Sequence, residues 1–317
     1  MKNKRLILLI PRLIGISSLS ACNTSNSSNE NTHESKDDNN DLSVDENLIS
    51  TTYTDKSIKE YYASISMTKN NLELKNKLCE KISNHKNLTY GDLWTSYKTT
   101  DTNNEGKIIC IYSNFTFNYG TSTGGQQLGN NTVSREGQYY NREHTTPRSW
   151  FGGSSKKTSM PEHNDLFNVY PTDAKVNNIR GTYDYGEVGN SSYTSSNGSK
   201  LGVSRRDDNV STVFEIADEY KGDIARSYFY MATRYMKSTY WYNKCDSKVY
   251  SVTPTGINLS QHGIDLLLKW AHNDPVSEKE IARNNAVYAL QGNRNPFIDY
   301  ENLETYIWTP SANYLEM

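Results

Sequence analysis

The composition of the chain changes abruptly near residue 50. Residues 23–50 are largely Asn, Ser, Asp and Glu and lack Phe, Tyr and Trp. Such a segment buries too little apolar surface to offset the conformational entropy that folding costs, so it is predicted to be a disordered stalk. From Thr51 to Trp308 there is no linker-like break, internal repeat or run of like charge. We therefore expect one folded domain, residues 51–317.

The N-terminus carries the strongly apolar segment of the chain. Its first residues are basic, an apolar run follows, and small residues lead to Cys22. This order is that of a secretory signal and is too short for a transmembrane helix. The sequence LSAC that ends at Cys22 resembles the lipobox of bacterial lipoproteins, which implies a signal peptide over residues 1–22 and lipidation of Cys22. We expect an anchor on the extracellular face of the cell membrane, with an ordinary cleaved signal and secretion as the alternative.

Charge and cysteine content limit the classes of protein. Residues 51–317 hold 29 basic and 29 acidic side chains, so the global charge does not support a large basic surface for nucleic acid. The cysteines other than Cys22 have no CxxC spacing, which indicates neither a disulfide framework nor a structural zinc site. A bridge between Cys79 and Cys110 is left open, with small buried thiols as the alternative.

Hydrophobic periodicity predicts helices at both ends of the domain. Leu74, Leu78 and Ile82 recur at helical spacing. Ser277 and Glu280 form a capping box, which begins a helix that should end at Gly292. The predicted helices cover residues 71–84, 223–237, 260–271 and 277–291.

Strands are predicted between these helices. The sequence KIICIYS, residues 107–113, is typical of a buried strand, and the Gly-, Asn- and Thr-rich residues 114–133 predict a long loop. The sequence QYYNREH, residues 138–144, predicts a second strand. Strands in the middle with helices around them indicate an α+β fold.

An acidic residue and a histidine stand side by side where the second predicted strand ends. The chain has no HExxH, catalytic serine motif or P-loop, so zinc proteases, serine hydrolases and NTPases are unsupported. Successive residues of a strand point to opposite faces, so Glu143 and His144 can serve one site only if the strand stops there. Pro147 predicts such a stop.

Glu143 and His144, together with Arg142, form a first block, REH, and three further blocks follow it along the chain. They are NDLFNVYPTDAKVNNIRGTYDYGEV, FEIADEYKGDIARSYFYMATRY and QGNRNPFID. With the four blocks in this order, the sequence from Tyr61 to Trp308 resembles the bacterial endonuclease I family of secreted or periplasmic nucleases. The resemblance implies a His-Me finger (ββα-metal) core embedded in a mainly helical single domain. Thr146 and Phe167 depart from the family pattern, which has tryptophan and histidine there.

The resemblance implies roles for individual residues. His144 is expected to be the general base, and Glu143 and Asn177 to be metal ligands. Arg180 and Arg226 fall where basic residues of the family meet phosphate or hold the site. Substrate contacts are expected from Arg142, Arg148 and Asn168.

Structural alternatives exist for several of these residues. Asn177 and Asn178 would be turn formers in a turn-rich stretch. Arg226 would pair with a carboxylate or stack on a ring. His163 would lie idle on an exposed loop.

The chemistry of the set is consistent with phosphodiester hydrolysis. A neutral imidazole can activate water near neutral pH, and the oxygens of Glu143 and Asn177 suit Mg²⁺, with Mn²⁺ and Ca²⁺ as alternatives. The resemblance implies a sequence-tolerant endonuclease on DNA, RNA or both that leaves 5′-phosphate ends. One alternative is an inactive nucleic-acid-binding lipoprotein on the same scaffold, which the presence of His144, Glu143 and Asn177 together disfavours. Another is a phosphodiesterase or phosphatase for small substrates, which needs a closed pocket. No protein partner is predicted.

Overall fold

The computed structural model describes residues 56–66, 71–206 and 212–316. The predicted signal peptide, the lipidation of Cys22 and the stalk of residues 23–50 lie outside these residues. Among the helices of the described part, none has the length and apolar character needed to cross a bilayer.

Helices and small antiparallel sheets make up the described residues, which confirms an α+β architecture. The α-helices are α1 (Lys56–Tyr61), α2 (Asn71–Ser83), α3 (Asp92–Thr100), α4 (Pro161–Asn164), α5 (Ala174–Arg180), α6 (Lys221–Arg234), α7 (Gln261–Asn273), α8 (Glu278–Gln291) and α9 (Pro296–Asp299). The strands are β1 (Tyr140–His144), β2 (Val169–Asp173), β3 (Val188–Thr194), β4 (Lys200–Ser204), β5 (Val213–Glu215), β6 (Tyr250–Thr253) and β7 (Gly256–Leu259). They pair as β1–β2, β3–β4–β5 and β6–β7.

Helix α6 forms the centre of the hydrophobic core. Every residue from Gly222 to Thr233 is buried, and α2, α7 and α9 pack against this helix. Phe229 of α6 stacks on Trp308 with ring centroids 5.2 Å apart. Each large apolar side chain buried in this way contributes about 1.5–3 kcal/mol to folding.

The predicted helix boundaries agree with the structure where capping residues define them. The side chain of Ser277 accepts a hydrogen bond from the backbone N–H of Glu280, and the carboxylate of Glu280 accepts one from Ser277 in return. Gly292 ends α8 with a φ of 79°, which favours glycine. Ser260 caps α7 in a similar way by accepting from Gly263. These local signals suffice because all partners lie within one helical turn.

The predicted strand over residues 107–113 is wrong. Ile108 makes isolated bridges to Thr102 and Phe117, and no regular strand follows. The segment is buried as predicted, but other partners take its polar groups: Cys110 Sγ accepts from the backbone N–H of Asp173 at 2.8 Å. Cys79 and Cys110 are both free and buried, so the open question of a bridge between them is answered.

Strands β1 and β2 pair as an antiparallel hairpin-like unit, and β2 runs directly into helix α5. Glu143 lies opposite Tyr170 in the antiparallel register. Asp173 ends β2, and its Oδ1 accepts hydrogen bonds from the backbone N–H groups of Lys175 and Val176 at 2.8 and 3.4 Å. An aspartate at this position stabilises the start of a helix. The turn that the sequence predicted around Asn177 is therefore wrong, because this cap nucleates a helix there.

Candidate active site

The candidate active site lies where β1 ends beside α5. Glu143 and His144 are the last two residues of β1, and Asn177 belongs to α5. All three line a cavity of about 590 Å³. Pro147 directly precedes a short 3₁₀ helix, Arg148–Phe151, so the chain leaves the sheet after His144. The end of the strand thus allows two neighbouring side chains to reach the same cavity.

His144 is held in one tautomer by the backbone. Its Nε2 lies 2.9 Å from the carbonyl oxygen of His163, and a carbonyl only accepts, so Nε2 carries the proton. Nδ1 is then the basic nitrogen, and it makes no hydrogen bond with any described residue. Burial, followed by repulsion from the His163 ring, holds the pKa of His144 well below its ordinary value. The imidazole is therefore neutral at neutral pH and presents a free basic nitrogen.

His163 is buried, which corrects the expectation of an exposed and idle residue. Its side chain is fully buried, and its ring packs edge-on against His144 and Tyr90 with centroids 4.7 and 4.4 Å away. Nδ1 lies 3.1 Å from the Oδ1 of Asn164. Helix α4 brings this residue against β1, and the residue acts on the site through its backbone carbonyl.

Glu143 uses one carboxylate oxygen to hold its position. Its Oε1 accepts hydrogen bonds from Arg180 Nη1 at 2.8 Å and from the Tyr112 hydroxyl at 2.9 Å. Burial raises the pKa of Glu143, and these two partners oppose that rise. Oε2 makes no hydrogen bond to the residues that the structure describes. One oxygen of a firmly oriented carboxylate therefore remains available.

Arg180 holds the site rather than meeting phosphate. Its side chain is 0% exposed, so a substrate cannot reach it. Besides Glu143, the guanidinium donates to the carbonyl oxygens of His144 and Thr145 at 3.0 and 2.9 Å. It also stacks over the ring of Tyr185. Of the two roles that the sequence suggested for Arg180, its contacts support the structural one.

Asn177 presents its amide oxygen in a similar way. Its Nδ2 donates to Thr172 Oγ1 at 3.3 Å and makes a long bond of 3.5 Å to the carbonyl oxygen of Arg142. Oδ1 has no hydrogen bond within the described residues, and the side chain is half-exposed. The orientation of the amide group therefore leaves its oxygen, and not its nitrogen, for a ligand.

This donor set suits a hard divalent cation. Among the described residues, no group of three His, Cys, Asp or Glu side chains is placed to hold a metal. Mg²⁺, however, keeps several waters and is often bound through one or two protein oxygens together with substrate phosphates. Glu143 Oε2 and Asn177 Oδ1 provide two such oxygens on one cavity.

Two arginines place positive charge at the cavity. Arg142 lies with its guanidinium carbon 3.4 Å from the ring centroid of Tyr90 and 4.2 Å from that of Trp94. Arg148 is exposed and also lines the cavity. Neither pairs with a carboxylate of the described residues, so both are available to an anionic substrate. The expected substrate contacts of Arg142 and Arg148 are consistent with these positions.

Tyr90 is a site residue that sequence reasoning missed. Its ring stacks on that of His144, with the centroids 5.8 Å apart and an interplanar angle of 27°. The guanidinium of Arg142 also lies over the Tyr90 ring. No motif marks Tyr90, which precedes the triplet by more than fifty residues. Other lining residues outside the predicted set include Asn141, Ser149, Ser154 and Asn178. The expectation that Asn178 is structural does not fit its exposed position in the cavity wall.

Asn168 does not reach the cavity. It is fully buried, and its amide Nδ2 donates to the carbonyl oxygen of Glu162 at 3.0 Å. Its Oδ1 accepts from the backbone N–H of Thr146 at 2.8 Å and from Thr145 Oγ1 at 3.0 Å. The expected substrate contact is therefore corrected: Asn168 ties the turn after β1 to helix α4 and positions the strand end.

Arg226 also lies outside the cavity. Its Nε and Nη2 donate to the two carboxylate oxygens of Glu280 at 2.6 and 2.7 Å, and Nη2 donates to the carbonyl oxygen of Asp274. The side chain is 3% exposed. The catalytic role expected for Arg226 is corrected to the structural alternative, pairing with a carboxylate, which joins α6 to the start of α8.

Comparisons with known proteins match this chain to secreted and bacterial nucleases. The model of the endonuclease I family matches residues 70–302. The extracellular ribonuclease of Bacillus amyloliquefaciens is 32% identical over 254 residues, which are 78% of each chain. That of Bacillus subtilis (strain 168) is 32% identical over 241 residues, 74% of each chain. The Endonuclease-1 of Buchnera aphidicola subsp. Baizongia pistaciae (strain Bp) is 27% identical over 169 residues, which cover 49% of this chain and 60% of that protein.

Proposed function

The chain belongs to the endonuclease I family and is a nuclease that hydrolyses phosphodiester bonds, and we propose that it uses His144 as general base together with a divalent cation. The observation that carries the proposal is the pairing of His144 Nε2 with the His163 carbonyl. It leaves Nδ1 as the free base in the cavity that Glu143 and Asn177 also line. We infer that β1, β2 and α5 form the His-Me finger of the family.

The base acts through a fixed and neutral imidazole. Nδ1 of His144 takes a proton from the attacking water, while Nε2 keeps its bond to the carbonyl of His163 and cannot turn away. Because burial depresses the pKa of His144, the ring is unprotonated before the step. General-base catalysis of this kind accelerates a reaction by about 10²–10⁴-fold.

Glu143 Oε2 and Asn177 Oδ1 would hold the cation, for which we propose Mg²⁺, with Mn²⁺ and Ca²⁺ as alternatives. When bound there, such an ion supplies Lewis-acid stabilisation of the charge that develops on the phosphate and on the leaving oxygen. Arg180 keeps Glu143 oriented by its bond to Oε1. Arg142 and Arg148 would bind phosphates next to the bond that is cut, and cleavage would leave 5′-phosphate ends.

RNA is the substrate that we propose first, with DNA as a second one. Two relatives that match three quarters of the chain are named extracellular ribonucleases. By the same argument the protein would act outside the cell. Lipid anchoring through Cys22 remains a prediction, which detergent partitioning of the full chain and of Cys22→Ser would test. Equal partitioning of both into the aqueous phase would contradict the anchor.

The mechanism is tested by assays of the purified protein on RNA and on plasmid DNA, with Mg²⁺ or with EDTA. We expect cleavage with Mg²⁺, none with EDTA, and a loss of about 10²–10⁴-fold in kcat for His144→Ala. His272→Ala, which removes an exposed histidine outside the cavity, is the matched control and should cut normally. Cleavage that survives EDTA would exclude the cation, and cleavage that survives His144→Ala would exclude the base.

The alternative of an inactive scaffold is not favoured. His144, Glu143, Asn177, Arg142 and Arg148 all line one cavity, and this arrangement supports an active enzyme. Binding of RNA by the wild-type protein in Mg²⁺ without any cleavage would instead support that alternative.

A further inference from the structure

A second cavity, of about 240 Å³, lies beside helix α2 and shares no lining residue with the active site. It is framed by α2, by strand β7 and by the segment that contains Trp308. Its lining combines apolar side chains with two polar ones, Lys75 and Asn258. The apolar lining residues are Leu72, Met236, Ile257, Ile307 and Trp308.

Lys75 is a buried cation without a counter-charge in the described part of the chain. The residue is only 4% exposed. Its Nζ donates to Asn258 Oδ1 at 2.7 Å and lies 4.9 Å from the ring centroid of Trp308, but no described carboxylate pairs with it. Burying an unpaired ammonium costs free energy. Burial accordingly lowers the pKa of Lys75 to about 8. An anion in the adjacent cavity would remove this cost.

Hydrogen-bond donors also outnumber acceptors at this point. Asn258 Oδ1 accepts from Lys75 Nζ, from Trp308 Nε1 at 2.9 Å and from the backbone N–H of Leu259 at 2.9 Å. An amide oxygen has two lone pairs, so three donors compete for it. Lys75 has two further N–H groups. An incoming anionic oxygen would therefore find donors that are already oriented at the cavity wall.

We propose that this cavity binds a small amphiphilic carboxylate. The carboxylate group accepts hydrogen bonds from Lys75 Nζ and Trp308 Nε1, and the hydrocarbon part packs against Met236, Ile257 and Ile307. A fully polar anion such as inorganic phosphate fits less well, because it would leave the apolar walls without a partner. The proposal does not rest on the proposed function, since none of these residues lines the active-site cavity.

Calorimetric titration of the full-length protein with hexanoate and with hexanol tests the proposal. The two probes have six carbon atoms each and differ mainly in the charged group. We expect hexanoate to bind about tenfold or more tightly than hexanol, because a bond to a buried ammonium is charge-assisted. Lys75→Met should abolish this preference. Lys77→Met, on the same helix but in an exposed pair with Glu73, should retain it.

Circular dichroism and thermal melting of each variant ensure that the fold is intact, and Lys75→Gln replaces Lys75→Met if the latter does not fold. The proposal is overturned if hexanoate gives no binding heat at millimolar concentration with the wild-type protein. It is also overturned if the preference for hexanoate persists in Lys75→Met, or if inorganic phosphate binds more tightly than hexanoate.

Discussion

Arg180 and Arg226 are both buried arginines that pair with a glutamate, but they leave their partners in different states. Arg226 donates to both carboxylate oxygens of Glu280, so neither oxygen of this carboxylate is left without a partner. Arg180 donates to one oxygen of Glu143, and its other hydrogen bonds go to the backbone carbonyl oxygens of His144 and Thr145. The other oxygen of Glu143 is left beside the cavity.

The comparison teaches that the geometry of a buried ion pair, and not its presence, separates a functional region from a structural one. A bidentate pair joins two helices and leaves neither carboxylate oxygen without a partner. A pair that uses one oxygen orients the carboxylate and still allows it to bind a cation. The first two predictions below test this difference between Arg180 and Arg226, and the others test the supporting residues and the free arginine.

Among the arginine replacements, that of Arg180 should have the largest effect on activity. In Arg180→Lys the charge remains, but an ammonium cannot reproduce the planar contacts with Glu143 and the two carbonyls. We expect kcat or the affinity for Mg²⁺ to fall by about 10–100-fold. Arg226→Lys is the matched control, and its folded form should cut RNA at a rate within about twofold of the wild type. Equal losses of activity in the two variants would contradict the difference proposed between Arg180 and Arg226.

Replacement of Arg226 should have the largest effect on stability. Arg226→Met leaves Glu280 as an unpaired buried carboxylate, which should lower the free energy of unfolding by about 3–5 kcal/mol. The double variant Arg226→Met/Glu280→Gln removes the stranded charge, keeps the helix cap and should recover part of that loss. Urea unfolding measures both values. A double variant no more stable than Arg226→Met would argue against a structural ion pair.

Replacement of Asn168 tests whether this residue positions the end of β1 or contacts the substrate. Asn168→Ala removes the partner of a buried backbone N–H and should cost about 1–3 kcal/mol of stability. Because the residue only supports the end of β1, we expect kcat to fall by about tenfold while KM for RNA stays unchanged. Steady-state kinetics on the folded variant give both values. An increase in KM at constant kcat would restore the original expectation of a substrate contact.

Glu304 should make the free energy of unfolding depend on pH. Burial raises the pKa of Glu304 to about 7, so the folded state binds this proton more tightly than the unfolded state. The stabilisation is present below about pH 4.5 and is lost as the pH rises to about 7. Glu304→Gln should therefore be more stable than the wild type at pH 8, by about 1–2 kcal/mol, and similar at pH 4.5.

Thermal melting of the wild type and of Glu304→Gln across this pH range measures the effect. Cleavage activity at pH 8 should not differ, because Glu304 does not line the active-site cavity. A stability difference that is constant with pH would contradict the raised pKa.

Arg148 should show the smallest effect. It is exposed and unpaired among the described residues, so Arg148→Ala removes one phosphate contact without disturbing the core. We expect the slope of log affinity for double-stranded DNA against log salt to become shallower by about 0.9, with kcat nearly unchanged. Arg135→Ala, an exposed arginine outside the cavity, is the control. An unchanged slope would remove Arg148 from the substrate contacts.

Features that depend on neighbours along the chain were predictable from the sequence. The capping box of Ser277 and Glu280, the stop at Gly292 and the strand end before Pro147 all involve partners within a few residues. The proposed ligands Glu143 and Asn177 and the proposed base His144 came from motif blocks, whose order is also a property of the sequence. Local hydrogen bonding and chain stiffness decide such features wherever the segment packs.

Features that depend on distant partners were decided by the tertiary structure. The buried segment around Cys110 formed no strand, because its backbone N–H groups bond to separate segments, that of Ile108 to Phe117 and that of Ile109 to Asp101. Local sequence could not separate Arg180 from Arg226, since their roles follow from the oxygens that Glu143 and Glu280 present after folding. The same limit applies to Tyr90, His163 and Lys75, whose partners lie far away in sequence.

The sequence by itself therefore determined the α+β class, the main helices and the chemical groups of the site. Tertiary packing decided which nitrogen of His144 is basic, which oxygen of Glu143 is available and which arginines are free. The physical reason is that a side chain's chemistry is set by residue type, whereas its protonation, orientation and pairing depend on desolvation and on long-range contacts that exist only in the folded chain.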